Sequence, residues 1–176
     1  GCKHLILSDK QLSEKKAAIP MILAFGAINS KLVNLGIRGF VSINVQTGEV
    51  LDTHSFAVLL GVGATIINPY LVFDSIYQRY EKKLFGKFNY EECIQRYIKS
   101  VDNGLLKIMS KMGISVLSAY RGGCNFETVG LSRAIVAEYF PGMISRISGI
   151  GIFGIETKIK ELYKKAFQNN VSILPI

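Results

Sequence analysis

Val41-Ser42-Ile43-Asn44-Val45, followed by Gln46-Thr47-Gly48-Glu49, the run from Asp52 to Gly61, and Thr65-Ile66-Ile67, is the stretch that decides the fold. The first five residues alternate as a half-buried strand does, and the next four turn the chain. Asp52 or Thr53 can cap a helix that runs to Gly61. Thr65 to Ile67 is a short strand, and Pro69 can open a helix from Tyr70 to Tyr80. Strand and helix alternate without a hairpin, which is the pattern of parallel β/α units.

The same alternation extends both ways. His4 to Leu7 is a short apolar strand ending in Ser8-Asp9-Lys10, with a polar loop through Lys16. Pro20 sits at a helix start and Gly36 closes that helix after Leu35. Its nearly continuous apolar run, Met21 to Ile28, predicts a buried helix. Lys82 to Phe88 is a basic loop, expected to be flexible. Asn89 begins the longest element, with Glu92 as its capping-box partner. Tyr90, Ile94, Ile98, Val101, Leu105, Ile108 and Met112 form its apolar stripe, and Asn103-Gly104 marks a kink or division. Gly113 ends it. Ile114 to Tyr120 reads as a strand, and Asn125 to Val129 and Ser132 to Tyr139 as short helices. A last amphipathic helix carries Ile155, Ile159, Leu162, Tyr163, Ala166 and Phe167 on one face. Four or five strands are too few for a closed eight-stranded barrel. The expected fold is α/β, an incomplete parallel β/α barrel or an open sheet.

Composition narrows the class. The chain has 176 residues, room for one domain, and 49% are hydrophobic, which excludes intrinsic disorder. Charged residues are 19%, below the usual value of about 25% for soluble domains. So little polar surface predicts a piece of something larger. Gly1-Cys2-Lys3 without an initiator Met, and the apolar Val171 to Ile176, both read as cut ends, with no targeting leader in this stretch. Phe56 to Phe73 lacks charge, but Gly61-Val62-Gly63 and Asn68-Pro69 interrupt it, so helix, turn and strand fit better than a membrane span. The net charge is +8. The basic excess lies in Arg79 to Lys87 and Lys158 to Lys165. Glu156 and Glu161 interleave with the second group as on a solvated face, and neither region carries a nucleic-acid module signature.

The motifs offer little chemistry. Gly149-Ile150-Gly151-Ile152-Phe153-Gly154 matches G-x-G-x-x-G before a helix, but no acid lies on the following strand, and a closely packed turn explains it better. Cys124 after Arg121-Gly122-Gly123 resembles a nucleophile turn. Its base would have to be His4 or His54, and nothing specifies either. Cys93 reads as core. Cys2, His4, His54, Cys93 and Cys124 show no metal-ligand spacing, and three unclustered cysteines suit a reducing compartment.

Several longer strings go beyond composition. They include Leu5-Ile6-Leu7-Ser8-Asp9-Lys10, Ala18-Ile19-Pro20-Met21-Ile22-Leu23-Ala24, His54-Ser55-Phe56-Ala57, Gly61-Val62-Gly63-Ala64 and Asn68-Pro69-Tyr70-Leu71. The most specific is Gly104-Leu105-Leu106-Lys107-Ile108-Met109-Ser110-Lys111-Met112-Gly113-Ile114-Ser115. It continues into Tyr120-Arg121-Gly122, Phe126-Glu127, Val129-Gly130-Leu131, Tyr139-Phe140-Pro141-Gly142 and Ser145-Arg146-Ile147-Ser148-Gly149-Ile150-Gly151. In this order they resemble the large chain of glutamate synthase.

The resemblance implies that residues 1–176 are the later part of that chain's central domain, ending just before its FMN-binding domain. It implies a fold like a reduced FMN barrel. The parent would make two glutamates from glutamine and 2-oxoglutarate with two electrons, passing ammonia from an amidotransferase domain to an FMN site. FMN and a 3Fe-4S cluster, with FAD as a further candidate, would belong to the parent. No catalytic, cofactor-binding or metal residue is expected in this segment, whose role would be to hold the two sites in register. Cys2 is not the amidotransferase nucleophile. Arg121 and Glu127 are the expected interdomain contacts. The family's paired histidines are His54-Ser55 here, and its Gly-Ala-Gln-Ile-Phe-Glu is Gly122-Gly123-Cys124-Asn125-Phe126-Glu127. Partners would be the other domains and ferredoxin, or a flavoprotein small subunit. Usage rich in Ile, Lys and Asn points to a plastid genome and a ferredoxin-dependent enzyme. The alternatives are an NADPH- or NADH-dependent enzyme in a bacterial cytoplasm, or a free-standing scaffold module.

Overall fold

The computed structural model describes residues 3–167. Strand β1 (His4–Ser8), β2 (Ser42–Gln46) and β3 (Ile66–Asn68) form a parallel sheet in the order β1-β2-β3. Helix α1 (Met21–Asn34) crosses from β1 to β2, and α2 (Thr53–Val62) from β2 to β3. Pro20 immediately precedes α1. Asp52 caps α2 by accepting from Ser55 N–H at 2.8 Å, and Gly63 ends it at φ +117°, a left-handed conformation that costs glycine little.

Alternation along the strands decides what is buried. Ile43 and Val45 of β2 are closed off under Met21 and Phe25 of α1 and Phe56 and Leu59 of α2. The opposite face carries Ile6, Asn44 and Ile66, aligned in register across all three strands. Ile6 is 69% exposed and Ile66 58%. Parallel sheets are normally covered on both faces. Here, among the described residues, the second face is open, with Ile6 and Ile66 exposed among His4, Ser8, Ser42, Asn44, Gln46 and Asn68.

After β3, α3 (Tyr70–Glu81) and α4 (Tyr90–Lys111) pack on each other, and α4 also packs on α2. Lys82 to Phe88 links them through turns closed by bonds such as Leu84 N–H to Arg79 O. Asn89 caps α4 by accepting from Glu92 N–H at 2.8 Å, while the Glu92 carboxylate turns to Arg96. Helix α4 is continuous through Asn103-Gly104. The expected kink is replaced by close packing, because a Cβ on Gly104 would lie 2.5 Å from Thr53 Cγ2 of α2. The buried line of α4 is Cys93, Val101 and Met109, whereas Ile98 and Met112 at the edge of the predicted stripe are exposed.

Two predicted elements are wrong. Residues 114–120 do not form a strand: the chain runs into a short helix, α5 (Leu117–Tyr120). Tyr120 pulls this segment out of the sheet, burying its ring with Ala57, Leu60 and Met109 and donating its hydroxyl to Ala57 O at 3.2 Å. The second error is at Asn125 to Val129, which is not helical. Cys124 at φ +51° and Gly122 at φ +73° make a turn incompatible with a helix start, and the chain enters β4 (Glu127–Leu131).

Helix α6 (Arg133–Tyr139), capped by Ser132, connects β4 to β5 (Ile144–Ile150), which pairs with it in parallel. Helix α7 (Ile152–Ala166) follows and contributes no buried residue. The described residues therefore hold two separate parallel sheets of three and two strands, not one sheet and not a barrel. The expectation of a strand at Val171 to Ile176 lies outside the described residues, as does Cys2. Among the described residues no helix is long and apolar enough to cross a membrane, and Phe56 to Phe73 resolves into helix, turn, strand and helix.

Candidate functional site

A cleft of about 440 Å³ lies where the two halves of the fold meet. Its walls come from α1, the C-terminal end of α2, the loop 121–124 and the residues following α6. Close backbone approach builds it. Gly26 of α1 faces Tyr139 O, 2.6 Å from where a Cβ would sit, and Ser30 Oγ donates to the same carbonyl at 3.3 Å. Gly122 N–H donates to Leu60 O at 3.3 Å, laying the loop over α2.

Arg38 organises the polar side. Its Nε donates to Asn29 Oδ1 at 2.6 Å, Nη1 to Val41 O at 2.7 Å and Nη2 to Gly63 O at 2.8 Å. The last bond places a cation at the C-terminus of α2, where the helix dipole favours it. Burial lowers the Arg38 pKa from its ordinary value, and the nearby positive charge of Arg121 lowers it further. Arg121 lines the same cleft, and among the described residues its guanidinium makes no hydrogen bond or ion pair.

The other residues singled out from sequence are dispersed. Glu127 opens β4 and meets Arg146 of β5 across 3.6 Å at the surface. Cys124 lines the cleft with Sγ 4.0 Å from Pro141 O, too long for more than a weak contact. His54 lies edge-on to Phe126 with centroids 6.2 Å apart, and Ser55 is engaged in the Asp52 cap through both its N–H and its hydroxyl. Cys93 is buried on α4, and His4 lies in β1.

Sequence reasoning missed Arg38, Asn29 and a second polar cluster at the C-terminal ends of β1 and β2. There Asp9, only 7% exposed, accepts from the Thr47 hydroxyl and from Gly48 N–H. Burial pushes the Tyr70 pKa up to about 12, and the neighbouring Asp9 carboxylate adds to the shift. All its partners are internal, so this cluster ties the 46–49 turn to β1.

The described residues fit neither an iron–sulfur cluster nor a dinucleotide cradle. An iron–sulfur cluster needs several thiolates together, and the described residues contain no group of three or more His, Cys, Asp or Glu able to hold a metal. The G-x-G-x-x-G stretch does span β5 and the start of α7. Its first glycine, however, is used against the neighbouring strand: a Cβ on Gly149 would sit 2.1 Å from Gly130 O. After it the acids are Glu156 and Glu161 within α7, and none follows Glu161 in the sequence.

Comparison with known proteins agrees with the fold as a fragment. A profile of the glutamate synthase central domain matches residues 1–132. The chain is 53% identical over 176 residues to the NADPH-type glutamate synthase large chain of Azospirillum brasilense, covering all of this chain and 12% of that protein. It is 40% identical over 172 residues to the NADPH-type large chain of Bacillus subtilis (98% of this chain, 11% of that protein). It is 37% identical over 183 residues to the chloroplastic ferredoxin-dependent glutamate synthase of Spinacia oleracea (98% and 11%). The chain belongs to the glutamate synthase central-domain family. It spans about a tenth of the length of these relatives.

The expected ferredoxin and plastid assignment is the weaker one. A ferredoxin-dependent enzyme from Pyropia yezoensis reaches 40%, level with Bacillus subtilis but well below the 53% of the bacterial NADPH-type relative. Codon-driven enrichment in Ile, Lys and Asn reports the base composition of a genome, not its compartment.

Proposed function

We propose that this chain is a structural segment of a bacterial, NADPH-dependent glutamate synthase large chain. The observation that carries the reading is end-to-end identity of 53% to such a chain. The parent forms two glutamates from glutamine and 2-oxoglutarate, and FMN with a 3Fe-4S cluster, both held outside these residues, supplies its electron transfer. The partner delivering electrons is a flavoprotein small subunit with FAD, and the compartment is the bacterial cytoplasm. The segment belongs to a reduced, barrel-like central domain ending just before the FMN domain. Its open sheet face and α7 meet neighbouring domains, and Arg121 and Glu127 mark surfaces turned toward them.

The test is the purified parent polypeptide with its small subunit, assayed for glutamate formation from glutamine and 2-oxoglutarate. NADPH should support turnover and reduced ferredoxin alone should not. Turnover with ferredoxin only would overturn the donor assignment, and a reading frame confined to these 176 residues would overturn the enzyme reading in favour of a free-standing scaffold.

A further inference from the structure

Two arginines share the cleft, yet no Asp or Glu lines it. Residues 1–2 and 168–176, outside the described part, contain none either. Arg38 is accounted for, since its three donors serve Asn29, Val41 O and Gly63 O and it already occupies the C-terminus of α2. Arg121 has no such role. Its backbone N–H bonds Leu117 O, while its side chain lines a cleft it shares with Arg38 and with no carboxylate among the lining residues. Like charges gathered at a concave surface repel unless an anion joins them.

The walls narrow the anion. Val33, Val62, Phe140 and Met143 supply apolar surface to the same cleft. A naked phosphate or chloride would leave that surface wet. A carboxylate on a short aliphatic stem uses both: its two oxygens match the planar fork of arginine, and its methylenes lie against the wall.

We infer that the Arg121 side of this cleft is a binding site for a carboxylate carried on an aliphatic stem. The cleft and its charge carry the inference; its protein-borne source deepens the reading of Arg121 as a surface turned toward a neighbouring domain and rests on that reading. Two sources share the chemistry: an Asp or Glu side chain from elsewhere in the parent polypeptide, or a free small carboxylate.

Two measurements on the full-length chain separate them. The first is a crystal structure grown with chloride as the only added anion. An Asp or Glu carboxylate within hydrogen-bond reach of the Arg121 guanidinium establishes the site with a protein-borne ligand. The second is ¹⁹F NMR of 4,4,4-trifluorobutyrate. If no acid reaches Arg121, wild type should broaden the fluorine line and Arg121→Gln should bind about tenfold more weakly. Arg121→Lys, which keeps the charge and loses the fork, should fall between them. Lys107→Gln, a charge loss outside the cleft, should behave as wild type. No acid at Arg121, together with equal broadening by wild type and Arg121→Gln, would overturn the inference.

Discussion

Arg38 joins three pieces of chain that are distant in sequence: Asn29 on α1, Val41 at the entry to β2, and Gly63 beyond α2. Arg38→Ala would leave all three acceptors partly buried and unpaired, and should destabilise the fold by about 3 kcal/mol. Arg38→Lys should rescue little of that, since an ammonium cannot reproduce the fork. Urea midpoints of the three proteins check it. Asp52 gives a pH prediction. The Ser55 backbone and side-chain hydrogen bonds lower its pKa. Its stabilising contribution is present above the ordinary carboxylate range and is lost as pH falls through the lowered folded value. Asp52→Asn, which still caps, should flatten that part of the acid limb in denaturation curves recorded from neutral pH downward. Asp52 was legible because caps have residue-type signatures. Arg38 was not, because two of its partners are carbonyls that any residue could supply.

At the scale of elements, the helix starts at Met21, Thr53, Tyr70, Tyr90 and Arg133 were readable from Pro20, Asp52, Pro69, Asn89 and Ser132, which are local signals. Residues 114–129 were misread because their structure is set at long range. Tyr120 is captured by α2, and Phe126 packs edge-on against Tyr120 with centroids 6.4 Å apart. Nothing in Ile114 to Leu117 announces either contact. The glycine motif divides cleanly by sterics. Gly149→Ala should destabilise by about 1–3 kcal/mol or more, because its Cβ would enter Gly130 of β4. Gly151→Ala should be nearly neutral, since nothing lies within 4 Å of a Cβ there and its φ is −89°. Thermal unfolding of the two variants checks both expectations.

For the whole molecule, the telling feature is apolar surface without cover. Ile6 and Ile66 on the sheet, Val129, Ile144 and Ile147 on the second sheet, and Phe153 and Leu162 on α7 are all exposed. The sequence foretold this only in bulk, through its low charge content; which faces stay open depends on the topology. The isolated segment should bind a hydrophobic dye and self-associate as its concentration rises, and the same segment within its parent should not. Reconstituted with FMN and iron, it should retain neither through gel filtration.

On the proposed function, the segment holds two reaction centres in register without doing chemistry itself. Phe153, 82% exposed on α7, is the place to disturb it without touching the core. In the full-length enzyme, Phe153→Asp and wild type would be compared for glutamine hydrolysis, for ammonia-driven glutamate formation, and for glutamine-driven glutamate formation. Both separate activities should stay near wild type while the glutamine-driven reaction falls and free ammonia escapes. Loss of either separate activity, or glutamine-driven synthesis that stays fully coupled, would contradict the account.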